Sequence, residues 1–224
     1  MLLLDELLLT LALVTTAALA LFDRQLIRAC ALFVLFALTV ALAWWRLGFP
    51  WLALLEVLLG AALTGAFLFH ALGVMPWARA PRGRLSRWRD PVPLNWRRGF
   101  FRLLPALAAV GMLGIALASL PAINEAPGPL RLSGTVLFGL GLWAFALQRH
   151  LLRRLLAFNI IGTGIFLLLM SLAREVSPAA GQGLVITGLV VALLGTMLGA
   201  LLIRRLNGLD GRRVMASMKN GGGP

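Results

Sequence analysis

Cysteine and histidine are scarce in this chain. Cys30 is its one cysteine, and the 224 residues contain two histidines. A single thiol excludes an internal disulfide framework, and neither histidine has Cys or acidic neighbours at the spacing of a metal site. The sequence also lacks a nucleotide-binding glycine loop, a serine-nucleophile elbow and a zinc-protease helix. We therefore expect no enzymatic activity, no metal and no cofactor.

Charged residues are also few, at 13% of the chain, whereas 60% of the residues are hydrophobic. A soluble domain could not bury that much apolar surface. Each long apolar run must be helical, because a backbone in lipid has to satisfy its own hydrogen bonds. Such runs lie near residues 2–22, 29–45, 51–72, 100–120, 132–147, 151–172 and 183–203. The predicted fold class is all-α: a polytopic membrane protein with about seven transmembrane helices.

The basic residues predict the orientation of these helices. When the seven runs are taken as alternating spans, 18 of the 21 Lys and Arg residues fall on one side, and the other side receives Arg46, Arg131 and Arg174. Lys and Arg in short loops stay on the cytoplasmic side of a membrane. We therefore expect the N-terminus outside, the C-terminus in the cytoplasm, and a multi-pass location in the cell (inner) membrane.

The longest polar stretch, residues 76–99, interleaves arginines with Trp77, Trp88 and Trp96. This mixture favours a basic cytoplasmic linker that lies on anionic lipid headgroups, with tryptophans in the interface. Docking on a partner subunit is the alternative. Nucleic-acid binding is not expected, because no RNA-recognition motif accompanies the arginines.

One acidic residue, Glu56, lies inside an apolar run. An acid at that place is costly unless it is neutral, paired or hydrated. At about 100° per residue, Leu63, Phe67 and His70 share its helix face, so one face carries an acid near the outside and an imidazole near the inside. Two interpretations remain open: a proton- or cation-relay group, or an interfacial acid that reaches up to water.

Small residues predict contact faces between the helices. Gly195 and Gly199 form a small-xxx-small pair in the last run, and Gly60 and Gly65 lie in the run that contains Glu56. Such residues allow two helices to approach closely. Gly60, one turn from Glu56, also leaves space beside the acid for water or a partner helix.

The segment from Asp23 to Leu72 resembles a known membrane module. It is similar to the MbhD-like or MrpB-type module of Mrp-type multisubunit sodium/proton antiporters and membrane-bound hydrogenases. In that family an arginine leads the second helix, and the third helix carries an acid followed by small residues. Arg28, Glu56, Gly60 and Gly65 match this order. The next segment, Phe100 to Pro129, looks like the single-helix MbhE-like module that often follows.

The last three runs resemble the MrpC-type subunit, which is similar to the K subunit of respiratory complex I. The matching stretches are HLLRRLLAFNIIGTGIFLLL from His150 and PAAGQGLVITGLVVALLG from Pro178. Complex I has glutamates in both helices, where this chain has Asn159 and Ala192, and the antiporter branch generally lacks them too. We place Asn159 and Thr187 with Glu56 and His70 on the predicted proton or ion path.

These resemblances predict a fusion of modules that normally occur as neighbouring subunits. The expected order is a three-helix MbhD/MrpB-like module (1–75), the basic linker (76–99), a single-helix MbhE-like segment (100–130), a three-helix MrpC/complex I K-like module (131–206) and a flexible basic tail (207–224).

The resemblance further implies an accessory membrane subunit of a cation- or proton-translocating complex, an Mrp antiporter or a related assembly. Its expected partners are large antiporter-like membrane subunits, other small membrane subunits, and protons, sodium or both. Two alternatives stay open. One is a self-contained small-solute transporter or channel, which would predict inverted repeats and broken helices. The other is a purely structural membrane scaffold.

Overall fold

The computed structural model describes residues 2–72, 96–118, 129–148 and 150–220. Within these ranges the chain forms seven helices and no β-strand, which confirms the all-α polytopic membrane fold. Each helix covers one of the seven apolar runs. The helices are α1 (Leu2–Phe22), α2 (Leu26–Arg46), α3 (Pro50–Leu72), α4 (Trp96–Ala118), α5 (Pro129–Leu147), α6 (Leu151–Val176) and α7 (Pro178–Asn220).

Four of these helices, α2, α3, α6 and α7, are long and apolar enough to cross a membrane. A crossing of about 30 Å of hydrocarbon uses about 20 residues. The apolar parts described in α1, α4 and α5 are shorter: Leu7–Phe22, Leu104–Ile115 and Arg131–Leu147. The full count of seven crossings and the orientation therefore stay predictions.

A tight turn joins α2 to α3. Gly48 has a φ of +83°, a conformation that glycine adopts without steric cost. The Phe49 N–H donates to the Trp44 carbonyl at 3.0 Å and so closes the end of α2. Pro50 then occupies the first turn of α3, where its missing N–H leaves no hydrogen bond unmade. This turn places α3 directly beside α2.

The two predicted three-helix modules pack against each other. Helix α2 contacts α1, α3 and α6, and α7 contacts both α3 and α6. At one end of this interface, Gln148 Nε2 and the Arg153 guanidinium both donate to the Leu21 carbonyl, at 3.1 and 3.2 Å. Arg153 is 1% exposed. These bonds cap the C-terminal end of α1 with residues from the other module.

Helices α5 and α6 pack closely at a point where glycines face each other. A Cβ at Gly164 would lie 2.7 Å from the Phe138 amide nitrogen and 2.8 Å from the Gly134 carbonyl oxygen. Real Cβ atoms do not approach backbone so closely, so this contact requires glycine. Gly134 and Gly164 were not among the predicted packing residues.

The predicted packing glycines have different surroundings. A Cβ at Gly65 would lie 2.7 Å from Val34 on α2, and one at Gly199 would lie 3.0 Å from Leu155 on α6. Gly195 has more room, since its nearest neighbour would be Phe158 at 3.9 Å. Gly60 lies against Glu56 of its own helix.

Two boundaries differ from those predicted. Helix α4 begins at Trp96, inside the last residues of the predicted linker, whose residues 76–95 lie outside the described ranges. Helix α7 continues to Asn220, where a flexible tail was expected from residue 207. The sequence after residue 206 contains no proline, and a helix already nucleated by a long span propagates at little cost.

Candidate functional site

Helix α3 changes its winding where the buried acid begins. It is α-helical over Pro50–Leu55, π-helical over Glu56–Leu63 and α-helical again over Thr64–Leu72. The Thr64 hydroxyl donates to the Leu59 carbonyl at 2.7 Å, a bond that reaches five residues back. π-Helical turns are rare and occur frequently at functional sites. Glu56 is the first residue of this one.

The Glu56 side chain is buried, with 4% of its surface exposed. It lies over Gly60, where an added Cβ would be 2.9 Å from the Glu56 Cδ and would overlap Oε1. The Trp44 indole N–H approaches the carboxyl without completing a hydrogen bond. An acid that reaches up to interfacial water would be exposed, so the burial argues against that interpretation.

Glu56 opens onto a cavity between the two modules. The cavity offers about 20 Å³ to the centre of a water molecule, and about 10–15 Å³ is enough to hold one. Glu56 is the one titratable side chain among the described residues that line it. The lining consists of Phe33 and Phe36 from α2, Glu56, Leu59, Gly60 and Thr64 from α3, Asn159, Thr163 and Phe166 from α6, and Leu189, Ala192 and Leu193 from α7.

The polar part of the cavity lining that does not belong to α3 is built around Asn159 of α6. Its amide nitrogen donates to the Leu155 carbonyl and to Thr196 Oγ1, both at 2.9 Å. Thr196 is 0% exposed, and its hydroxyl lies 2.8 Å from the Ala192 carbonyl and 3.2 Å from Asn159 Oδ1. The Thr163 hydroxyl donates to the Asn159 carbonyl at 3.2 Å. These bonds fix Asn159 between α6 and α7.

The structure brings together two of the four residues predicted on the path. Glu56 and Asn159 line the same cavity. His70 instead contacts the Arg204 guanidinium of α7, with His70 Nδ1 3.4 Å from the nearer guanidinium nitrogen and Nε2 closer still. Thr187 is exposed, outside the cavity lining, and donates to the Gly183 carbonyl at 2.9 Å.

The π-helix explains why the predicted helix face was wrong. A π turn contains more residues than an α turn, so the 100° spacing fails across Glu56–Leu63. Leu63 was expected beside Glu56, but it is 43% exposed whereas Glu56 is buried. His70 follows the same π segment and lies against α7.

Three threonines of the site were missed, although the sequence contained a signal for each. Each lies four residues after a residue already singled out: Thr64 after Gly60, Thr163 after Asn159 and Thr196 after Ala192. Such neighbours lie on one face of an α-helix, which holds for Thr163 and Thr196, whereas Thr64 follows the π segment and its hydroxyl reaches five residues back.

The described part of the chain contains no group of three or more His, Cys, Asp or Glu side chains that could hold a metal ion. The polar groups in the described lining of the cavity are the Glu56 carboxyl, the hydroxyl groups of Thr64 and Thr163, and the Asn159 amide.

Residues 129–220 match the family model of NADH-ubiquinone/plastoquinone oxidoreductase chain 4L. The last three helices are similar to chain 4L. The match begins at α5 and includes Asn159, Ala192 and Thr196, but it does not reach Glu56. It confirms the predicted complex I K-like module in outline, whereas the MbhD/MrpB-like and MbhE-like modules stay predictions. Neither the curated proteins nor the solved structures contain a significant match to this chain.

Proposed function

We propose that this chain is an accessory membrane subunit of a multisubunit cation- and proton-translocating complex, of the Mrp antiporter type or a related one. The observation that carries the proposal is the buried Glu56 at a cavity between the two modules. The similarity of residues 129–220 to one chain of a multichain oxidoreductase supports the role of a small membrane subunit.

In this proposal the Glu56 carboxyl takes up a proton and releases it again. The flanking groups suit this role, because the cavity has room for a water molecule and oxygen atoms to orient it. A carboxyl group held among apolar side chains and a few polar ones is a common arrangement for proton transfer within membranes.

One titratable group in the described lining is not a complete path. Entry and exit of the proton would therefore depend on partner subunits, for which large antiporter-like subunits and other small membrane subunits are our candidates. The transported species would be protons, sodium or both. We assign no enzymatic activity to the chain itself. The linker over residues 76–99, most of which lies outside the described ranges, would rest on anionic headgroups of the cell (inner) membrane.

The proposal is tested by Glu56→Gln, which preserves the size of the side chain but removes its titration. Native mass spectrometry in mild detergent should find wild-type and variant chains with the same larger membrane partners. Cation-induced pH change in membrane vesicles should fall strongly in the variant complex. Thr135→Val, a substitution of a threonine outside the cavity lining, is the control.

Two results would contradict the proposal. Full transport by an assembled Glu56→Gln complex would leave the acid without a role in translocation and would favour the structural scaffold. A lone chain that transports an ion in liposomes would favour the self-contained transporter.

A further inference from the structure

The hydroxyl groups around the cavity have already used their hydrogen-bond donors. Thr64 donates to the Leu59 carbonyl at 2.7 Å, and Thr163 donates to the Asn159 carbonyl at 3.2 Å. A hydroxyl has one donor and two acceptor lone pairs. An occupant of the cavity can therefore meet these two side chains only as hydrogen-bond acceptors.

The two N–H donors of the Asn159 amide are also already used. A backbone carbonyl can only accept, so the amide group 2.9 Å from the Leu155 oxygen must be the NH₂. The second amide hydrogen is taken by Thr196 Oγ1, also at 2.9 Å. Thr196 in turn has its shortest bond, 2.8 Å, to the Ala192 carbonyl. Thr196 Oγ1 also lies 3.2 Å from the Asn159 amide oxygen, but that oxygen has two lone pairs, so Asn159 can still offer the cavity an acceptor.

We propose that Thr196 is a positioning residue for the Glu56 site: by accepting the second amide hydrogen of Asn159, it keeps the polar lining of the cavity an acceptor surface. Such a surface fits an occupant that donates hydrogen bonds, namely the proton on Glu56 or a water molecule beside it. This inference rests on the proposed role of Glu56 as the proton-holding group. Thr196 itself lies outside the lining and acts through Asn159.

Removal of the Thr196 hydroxyl would change the cavity in a defined way. The second amide hydrogen would lose its acceptor, and buried polar hydrogens nearly always find another. The oxygens of the cavity are open acceptors, and an N–H directed at Glu56 stabilises its ionised form.

Other charges do not complicate this expectation. The described charged and titratable side chains on the helices around the π segment all lie outside the cavity lining: Arg28, Cys30 and Arg46 of α2, His70 of α3, Arg153 and Arg154 of α6, and Arg204 and Arg205 of α7.

The test measures the protonation of Glu56 directly in the purified full-length chain in lipid nanodiscs. Infrared spectra are recorded across a pH range, and subtraction of the Glu56→Gln spectra isolates the Glu56 carboxyl band. In Thr196→Val the midpoint of this titration should move to lower pH by about one unit, the effect of about one hydrogen bond. Thr196→Ser should keep the wild-type midpoint.

Thr135→Val is the matched control, because the Thr135 hydroxyl of α5 also donates to a carbonyl four residues back, that of Arg131, but outside the cavity lining. It should keep the wild-type midpoint. If Thr196→Val does not fold, Thr196→Ala removes the same hydroxyl and is judged by the same midpoint.

An unchanged midpoint in the folded Val or Ala variant would overturn the inference. The outcome is independent of transport. A fully active Glu56→Gln complex would defeat the proposed function, whereas an unchanged Thr196 variant combined with an inactive Glu56→Gln complex would defeat this inference alone.

Discussion

Glu56 and Asn159 line one cavity, although they lie on helices α3 and α6 of the two different predicted modules. Their meeting makes the site a joint product of both modules. Neither module would enclose the carboxyl alone, because its walls come from α2, α3, α6 and α7. Because both residues line the cavity, substitutions can transfer the carboxyl group from α3 to α6.

The first prediction concerns this transfer of the carboxyl group from position 56 to position 159. In Glu56→Gln the titratable group is lost, and Asn159→Asp places a new one on α6 in the same cavity. The double variant should therefore recover part of the transport that Glu56→Gln loses, measured as cation-induced pH change in vesicles. Asn159→Asp alone is the control for damage to the Leu155 and Thr196 bonds. An assembled double variant no more active than Glu56→Gln would show that the position of the carboxyl on α3 is essential.

A second prediction concerns Gly60. A Cβ at this position would overlap Glu56 Oε1, so Gly60→Ala should displace the carboxyl and lower transport while the helix remains intact. Gly195→Ala is the matched control, since its new methyl would have its nearest neighbour at 3.9 Å. The control should keep transport and gain up to about 1 kcal/mol of stability from helix propensity. Equal transport in both variants, measured in vesicles with equal assembly, would argue against the contact between Gly60 and Glu56.

The third prediction concerns the contact between His70 and Arg204, which joins the end of α3 to α7. A ring nitrogen that accepts from a guanidinium should contribute a coupling energy of about 1 kcal/mol. Single alanine substitutions at each position and the double variant form a thermodynamic cycle, measured by denaturation in detergent. Arg205, which is exposed beside it, provides the control cycle with His70. Additive effects of the His70 and Arg204 substitutions would show that the contact contributes nothing to stability.

A fourth prediction tests the orientation, which depends on the uneven distribution of basic residues. Reporter fusions after residue 90 and at the C-terminus should both be cytoplasmic, and a fusion near Asn124 should be external. A cytoplasmic reporter at Asn124 would contradict the seven-span topology.

Much of the fold could be predicted from the sequence because hydrophobicity in a membrane protein acts over whole segments. Each of the seven apolar runs corresponds to one helix. The site was predicted less completely. Glu56 could be singled out because a lone acid in an apolar run is costly. Asn159 was singled out only because it occupies a position where complex I has a glutamate, and nothing in the sequence indicated that it would lie near Glu56. That meeting depends on packing between modules, which no local pattern encodes.

The π-helix is the second feature that could not be predicted from the sequence. The segment EVLLGAAL contains no proline and reads as an ordinary apolar helix. Once it is wound as a π-helix, the expected alignment of Glu56 with Leu63 no longer holds. The π segment packs against α2 and α7, and these contacts between distant parts of the chain cannot be read from the local sequence.

The length of α7 has a consequence for the outer shape of the protein. Its 43 residues extend for about 64 Å, roughly twice the thickness of the hydrocarbon layer. The apolar segment of this helix ends at Leu206, and residues 207–220 add about 21 Å at the usual rise. A helix of this length that crosses the bilayer once would therefore extend past the headgroup region on one side.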